Sequence, residues 1–183
     1  MKKVFIISIL FVFNSIQLKA QNWPIDPETK QIIFTEVVAV DSVSKDELYL
    51  RAKEWFAKTY NDSKEVIQLS DKEAGKIIGK GVYLAYYHSI GLRNGGLVHY
   101  TLTVIAKDGR YKYELTDLYH ESTGAENGTG SGGYLQNEKA ACGGFLLNKK
   151  IWDEIKLTTY DKCNSLIESL KTSMNKKTKG ENW

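Results

Sequence analysis

Proline occurs at only two positions, Pro24 and Pro27, and cysteine at only two, Cys142 and Cys163. The prolines make the stretch from Trp23 to Pro27 extended and irregular and leave the rest of the chain free of ring-imposed breaks. A metal site built from two cysteines this far apart, with no histidine beside either, has too few ligands to stand on. No apolar run after Phe13 approaches the roughly 20 residues that a spanning helix needs. No G-x-S-x-G turn exists to expose a nucleophilic serine, and Ser89 beside His88 does not replace it, because strand neighbours point to opposite faces. The glycine-rich run Gly124 to Gly133 lacks the Lys-Ser/Thr ending of a phosphate-binding loop.

An excess of charge is missing too, once the front of the chain is understood. Lys2 and Lys3 precede an apolar run from Val4 to Phe13 that only Ser8 interrupts, and a polar stretch ends at Lys19-Ala20. That layout predicts a secretory signal cleaved after Ala20, with Gln21 as the new N-terminus. No cysteine follows the run, which argues against a lipid anchor. The net charge of +3 lies in Lys2, Lys3 and Lys19: removing them from the 25 basic residues leaves as many as the 22 acidic ones. A nucleic-acid binder carries a surplus of Lys and Arg on one face, so export and a neutral remainder argue against that class. The expected localisation is the periplasm or the exterior. The remainder of the 183 residues suits one domain with its own core, divided as an extended segment 21–31, a domain 32–175 and a basic tail 176–183.

What is present is a regular alternation of strand and helix signals. Gln31 to Val40 is rich in β-branched residues and predicts a strand. Ser44 and Glu47 have capping-box spacing, and Leu48, Ala52, Trp55 and Thr59 recur at helical intervals as far as Tyr60. Strands are expected over Glu65–Leu69 and Lys76–Ser89, the latter with a bulge or bend at Gly79 or Gly81. Asn94-Gly95-Gly96 reads as a turn before a strand over Leu97–Lys107, and Asp108-Gly109 as a type I′ hairpin turn leading into Arg110–His120. Glu121–Gly133 reads as a loop. The last helix carries Trp152, Ile155, Thr159, Cys163, Leu166, Leu170 and Met174 on one face. The fold class is therefore α+β, with two layers: a curved antiparallel sheet of about five strands packed by two helices.

Pairing Lys107 with Arg110 sets the hairpin register. Val98, Tyr100, Leu102, Val104, Tyr111, Tyr113, Leu115 and Tyr119 then share the core face, while Thr101, Thr103, Lys107, Lys112, Glu114 and Thr116 share the wet one. Asp117 falls on the core face opposite Tyr100, where a carboxylate needs a partner. It is the one candidate for a catalytic acid, although a Tyr–Asp hydrogen bond accounts for it as well. His99 and His120 fall on the wet face as diagonal neighbours, a candidate metal pair short of further ligands; two surface histidines near the sheet end are the favoured account. No cofactor is expected.

The passages ELYLRAKEWFAKTYNDSKEVIQLSDKEAGKIIGKG and LTVIAKDGRYKYELTDLYH resemble a family of exported bacterial proteins, a domain of unknown function with a TATA-binding-protein-like (TBP-like) fold. The similarity spans about Ile32 to His120. It implies that fold and supplies no catalytic residues; the fold name carries no implication of DNA binding.

The remaining bias is tyrosine, with 11 in the chain. Tyrosine joins apolar area to a polar tip and is enriched at interfaces. Packing under the helices accounts for most of them, and a binding surface of Tyr83, Tyr86, Tyr87, Thr101 and Thr103 is what survives. Cys142 and Cys163 fit either a loop-to-helix disulfide or two separate thiols, and an oxidising compartment tilts toward the bridge. The functional expectation is a non-catalytic binding or structural domain of the cell envelope that takes a protein, peptide or glycan. The alternative is a small hydrolase of envelope polymers using Asp117 with a histidine.

Overall fold

A computed structural model describes residues 22–124 and 130–176. The expected signal segment, the Asn127-Gly128-Thr129 part of the glycine-rich loop and the basic tail beyond Lys176 lie outside the described residues. In chain order the elements are β1 (Phe34–Ala39), α1 (Lys45–Thr59), α2 (Ser63–Val66), β2 (Ile67–Asp71), β3 (Lys76–Ser89), β4 (Gly91–Lys107), β5 (Arg110–Glu121), β6 (Gly133–Tyr134) and α3 (Lys149–Met174). The strands form a curved antiparallel sheet in the order β1-β5-β4-β3-β2, with β6 added to the end of β5. Among the described residues no helix is long and apolar enough to cross a membrane.

Each long helix starts where its sequence supplies a cap. The Ser44 side chain accepts from the Glu47 amide at 3.3 Å, and the Asn148 side chain accepts from the Ile151 amide at 3.1 Å. Both thereby satisfy a first-turn donor that the helix leaves unpaired. Leu48, Ala52, Trp55 and Phe56 of α1 and Trp152, Ile155, Thr159, Cys163, Ile167, Leu170 and Met174 of α3 are buried. The inward row of the sheet meets them with Ile77, Val98, Leu102, Val104, Tyr111 and Leu115. Ile167 replaces Leu166 on the inward face of α3, while Leu166 packs beside the core. Lys171 of α3 reaches Glu36 of β1 at 2.6 Å, fixing the helix across the sheet.

The β4–β5 register is the expected one through its first half, with Lys107 opposite Arg110, Val104 opposite Tyr113 and Leu102 opposite Leu115. Its turn differs from type I′: Gly109 has φ +71°, but Asp108 is not among the positive-φ residues. Tertiary contacts set this geometry. The Asp108 carboxylate accepts from the Lys45 amide at 2.7 Å, and the Gly109 amide donates to the Val43 carbonyl at 2.8 Å.

Three further expectations are corrected. The expected strand at Glu65 begins as one helical turn capped by Asp62, so β2 starts at Ile67. The irregularity near Gly79 is a bulge on β2, between Ile67 and Leu69, whereas β3 runs unbroken past both glycines. Asn94-Gly95-Gly96 is not a turn. The strands reverse at Ile90, and Gly95 is a bulge residue between the pairs Ala85–Gly96 and Tyr86–Asn94.

Candidate functional site

The helices cover one face of the sheet, so the opposite face is where side chains remain available. On β3 the outward residues alternate as Lys80, Val82, Leu84 and Tyr86, with Val82 52% and Tyr86 43% exposed. Leu84 lies opposite Leu97, Val82 opposite His99 and Lys80 opposite Thr101. An apolar strip thus runs toward the hairpin end, where Ile90 and Leu92 are also exposed. The far end of the same face is basic: Lys107, Arg110 and Lys112 surround Val37 and Ile105.

Between these ends lies an open pocket of about 460 Å³, lined by Lys80, Val82, His99, Thr101, Asp117, Tyr119 and Tyr134 among others. A second bulge creates it. Thr101 pairs with Thr116 and His99 with Tyr119, so β5 spends two residues, Asp117 and Leu118, opposite Tyr100 alone. Asp117 takes φ +56°, the left-handed conformation that such a bulge usually assigns to glycine. From there inward and outward positions on β5 exchange. Leu118 and His120 turn into the core, while Tyr119 emerges at 37% exposure. The strict alternation assumed from sequence is broken by this one residue.

That exchange overturns three assignments. Asp117 is exposed and does not pair with Tyr100, whose hydroxyl instead lies 3.0 Å from that of Tyr60. Tyr119 is outside the core. The His99–His120 pair does not exist, because the two rings lie on opposite faces. His99 Nε2 sits 2.8 Å from a Glu121 carboxylate oxygen on the open face. His120 is fully buried; its Nδ1 accepts from the Gly132 amide at 2.9 Å and its Nε2–H donates to the Gly95 carbonyl. Both ring nitrogens are used, so the imidazole is a neutral clamp between the bulge of β4 and the segment leading into β6. Burial pushes its pKa below the ordinary histidine value. A Cβ on Gly96 would come within 2.6 Å of His120 Nε2, which explains glycine beside the clamp. Among the described residues, no group of three or more His, Cys, Asp or Glu is placed to hold a metal ion.

The expected binding surface divides. Tyr86, Thr101 and Thr103 lie on the open face, whereas Tyr87 is buried and Tyr83 turns inward toward Tyr100 and the α3 residues Thr159 and Cys163. Both cysteines are free thiols. Cys142 lies by the loop that packs on Trp152, and Cys163 is eleven residues, about 16 Å, farther along α3. Burial pushes the Cys163 thiol up to about 12, so it is protonated and unreactive. Val82, Leu84, Lys80 and Tyr134 were not singled out from the sequence. The available signal was β3 itself, which is apolar at outward as well as inward positions.

The family model described as "Domain of unknown function (DUF4468) with TBP-like fold" matches residues 34–121. The fold is also that of a DUF4468 family protein from Bacteroides ovatus ATCC 8483, at 17% identity and TM-score 0.57, covering 81% of this chain and 89% of that one. A TBP-like protein from Parabacteroides distasonis ATCC 8503 aligns at 15% identity and TM-score 0.54, over 77% and 93% of the two chains. No protein of curated function matches. The stretch from Phe34 to Glu121 is thus similar to the DUF4468 family, and the fold is TBP-like.

Proposed function

We propose that this chain is an exported, non-catalytic binding domain of the bacterial cell envelope, and that a partner protein docks on the open face of its sheet. The observation that carries the reading is the strip of Val82, Leu84 and Tyr86, exposed at 52%, 36% and 43% on the face that no helix among the described residues covers. A strand apolar on both faces is expected where both become covered, and the inward face already packs on the helices. The hydrophobic leader and its Ala20 junction support export, and an intact mass beginning at Gln21 would test that part.

Leu84→Arg places a charge in the middle of the strip without touching the core. It should abolish co-purification of the partner from native cells while the melting temperature stays within a few degrees. Undiminished capture by this variant would refute the reading.

A hydrolase remains the second reading because the β5 bulge brings Asp117 into the same pocket as His99. Turnover of an envelope polymer that Asp117→Asn abolishes would favour it over binding alone.

A further inference from the structure

We infer that the Asp117 pocket is a saccharide subsite, taking a neutral, hydroxyl-rich sugar ring against Tyr119 and Tyr134. The inference rests on the open face being the ligand surface and adds the chemistry of one ligand.

The pocket is built by irregular backbone. Asp117 is held at φ +56° in the bulge that turns Tyr119 outward, and β6 pairs with β5 only at Tyr119 and His120. That short strand brings Tyr134 beside Tyr119, with ring centroids 5.2 Å apart and planes at 81°. Both rings stay open, at 37% and 46% exposure. Two phenol rings meeting at a right angle form an aromatic corner whose electron-rich faces suit the C–H surface of a sugar ring. The same clamp that buries His120 fixes this corner, because the Gly132 amide just before β6 is its hydrogen-bond donor.

The polar groups point the same way. Asp117 supplies acceptors, with one oxygen engaged by the Thr116 hydroxyl at 3.3 Å, while Lys80 supplies donors and Thr101 both. One cation faces one anion across the pocket and His99 is occupied by Glu121, so the local field favours neither an anionic nor a cationic ligand. A volume of about 460 Å³ falls within the range of small-ligand sites. Aromatic walls with convergent donors and acceptors and no net charge fit a neutral carbohydrate.

Calorimetric titration of the purified protein with neutral malto-, cello-, xylo- and chito-oligosaccharides tests the assignment. At least one series should bind. Tyr119→Ala and Asp117→Gly should each weaken it at least tenfold, and Lys162→Ala, exposed on the helix face, should leave it within twofold. Asp117→Gly is the safer probe of the carboxylate, because glycine keeps the bulge conformation while removing the side chain. Absence of binding by every series, or binding that survives both pocket variants, would overturn the subsite. Partner capture lost in Leu84→Arg alongside either result would leave the docking reading intact, so the two can fail separately.

Discussion

At the scale of single residues, two positive-φ positions carry opposite expectations. Gly109 has φ +71° with nothing within 4 Å of where a Cβ would stand. In Gly109→Val the added Cβ therefore meets no neighbour, and the cost comes from backbone strain, about 1 kcal/mol or more. Asp117 is a non-glycine residue already in that region, so Asp117→Gly should leave stability unchanged or raise it by up to about 1 kcal/mol. Urea denaturation of both variants checks the pair; a large loss in Asp117→Gly would show that the carboxylate holds the bulge together. The Asp108-Gly109 turn was legible because few dipeptides favour positive φ at their second position. The bulge at Asp117 was not: aspartate tolerates the left-handed region without announcing it. Everything derived beyond that point by alternation was accordingly inverted, including Tyr119, His120 and the supposed histidine pair.

At the scale of elements, the β4–β5 ladder gives the sharpest contrast. Leu102 and Leu115 face each other with 1% and 0% exposure, and truncating either to Ala should cost about 2–5 kcal/mol. Thr103 faces Glu114 on the open side, and Thr103→Ala should stay within about half a kcal/mol. Equal losses for Leu102→Ala and Thr103→Ala in one melting series would show the faces reversed. The strand pattern carried this register because one face is apolar and the other polar, and a slip by one residue would bury the threonines. The start of β4 was less legible, since Asn94-Gly95-Gly96 has turn composition yet serves as a bulge that admits the His120 ring.

That clamp also gives the β6 segment a pH dependence. His120 has a folded pKa below its ordinary value of 6.5, because burial disfavours the charged ring. The folded state then binds fewer protons than the unfolded state between the two values. Its stabilisation is complete above about 6.5 and is lost as the pH falls toward the folded value. Stability should begin to decline below about pH 6.5, before the carboxylates titrate, and His120→Gln should remove that early decline. An identical pH profile in the variant would mean that His120 is not the group responsible.

At the scale of the whole molecule, the two-layer architecture followed from the order of periodicities: β-branched strand, capped helix, antiparallel run, long helix. The site was only partly legible. Tyr86, Thr101 and Thr103 were placed on the exposed side, but Tyr83 and Tyr87, one position out of phase with Tyr86, belong to the core. The pocket needed a bulge and a strand of two residues, neither of which composition announces. The two cysteines follow the same lesson, since their separation in space depends on where the loop before α3 packs. The proposed function requires that the uncovered face of the sheet, and not the helix face, meets a partner. A photo-cross-linking residue placed at position 84 on that face and, separately, at exposed position 162 on α3 tests it directly in native cells. The claim predicts a discrete adduct from position 84 and none from position 162. Adducts from position 162 with none from position 84 would contradict it.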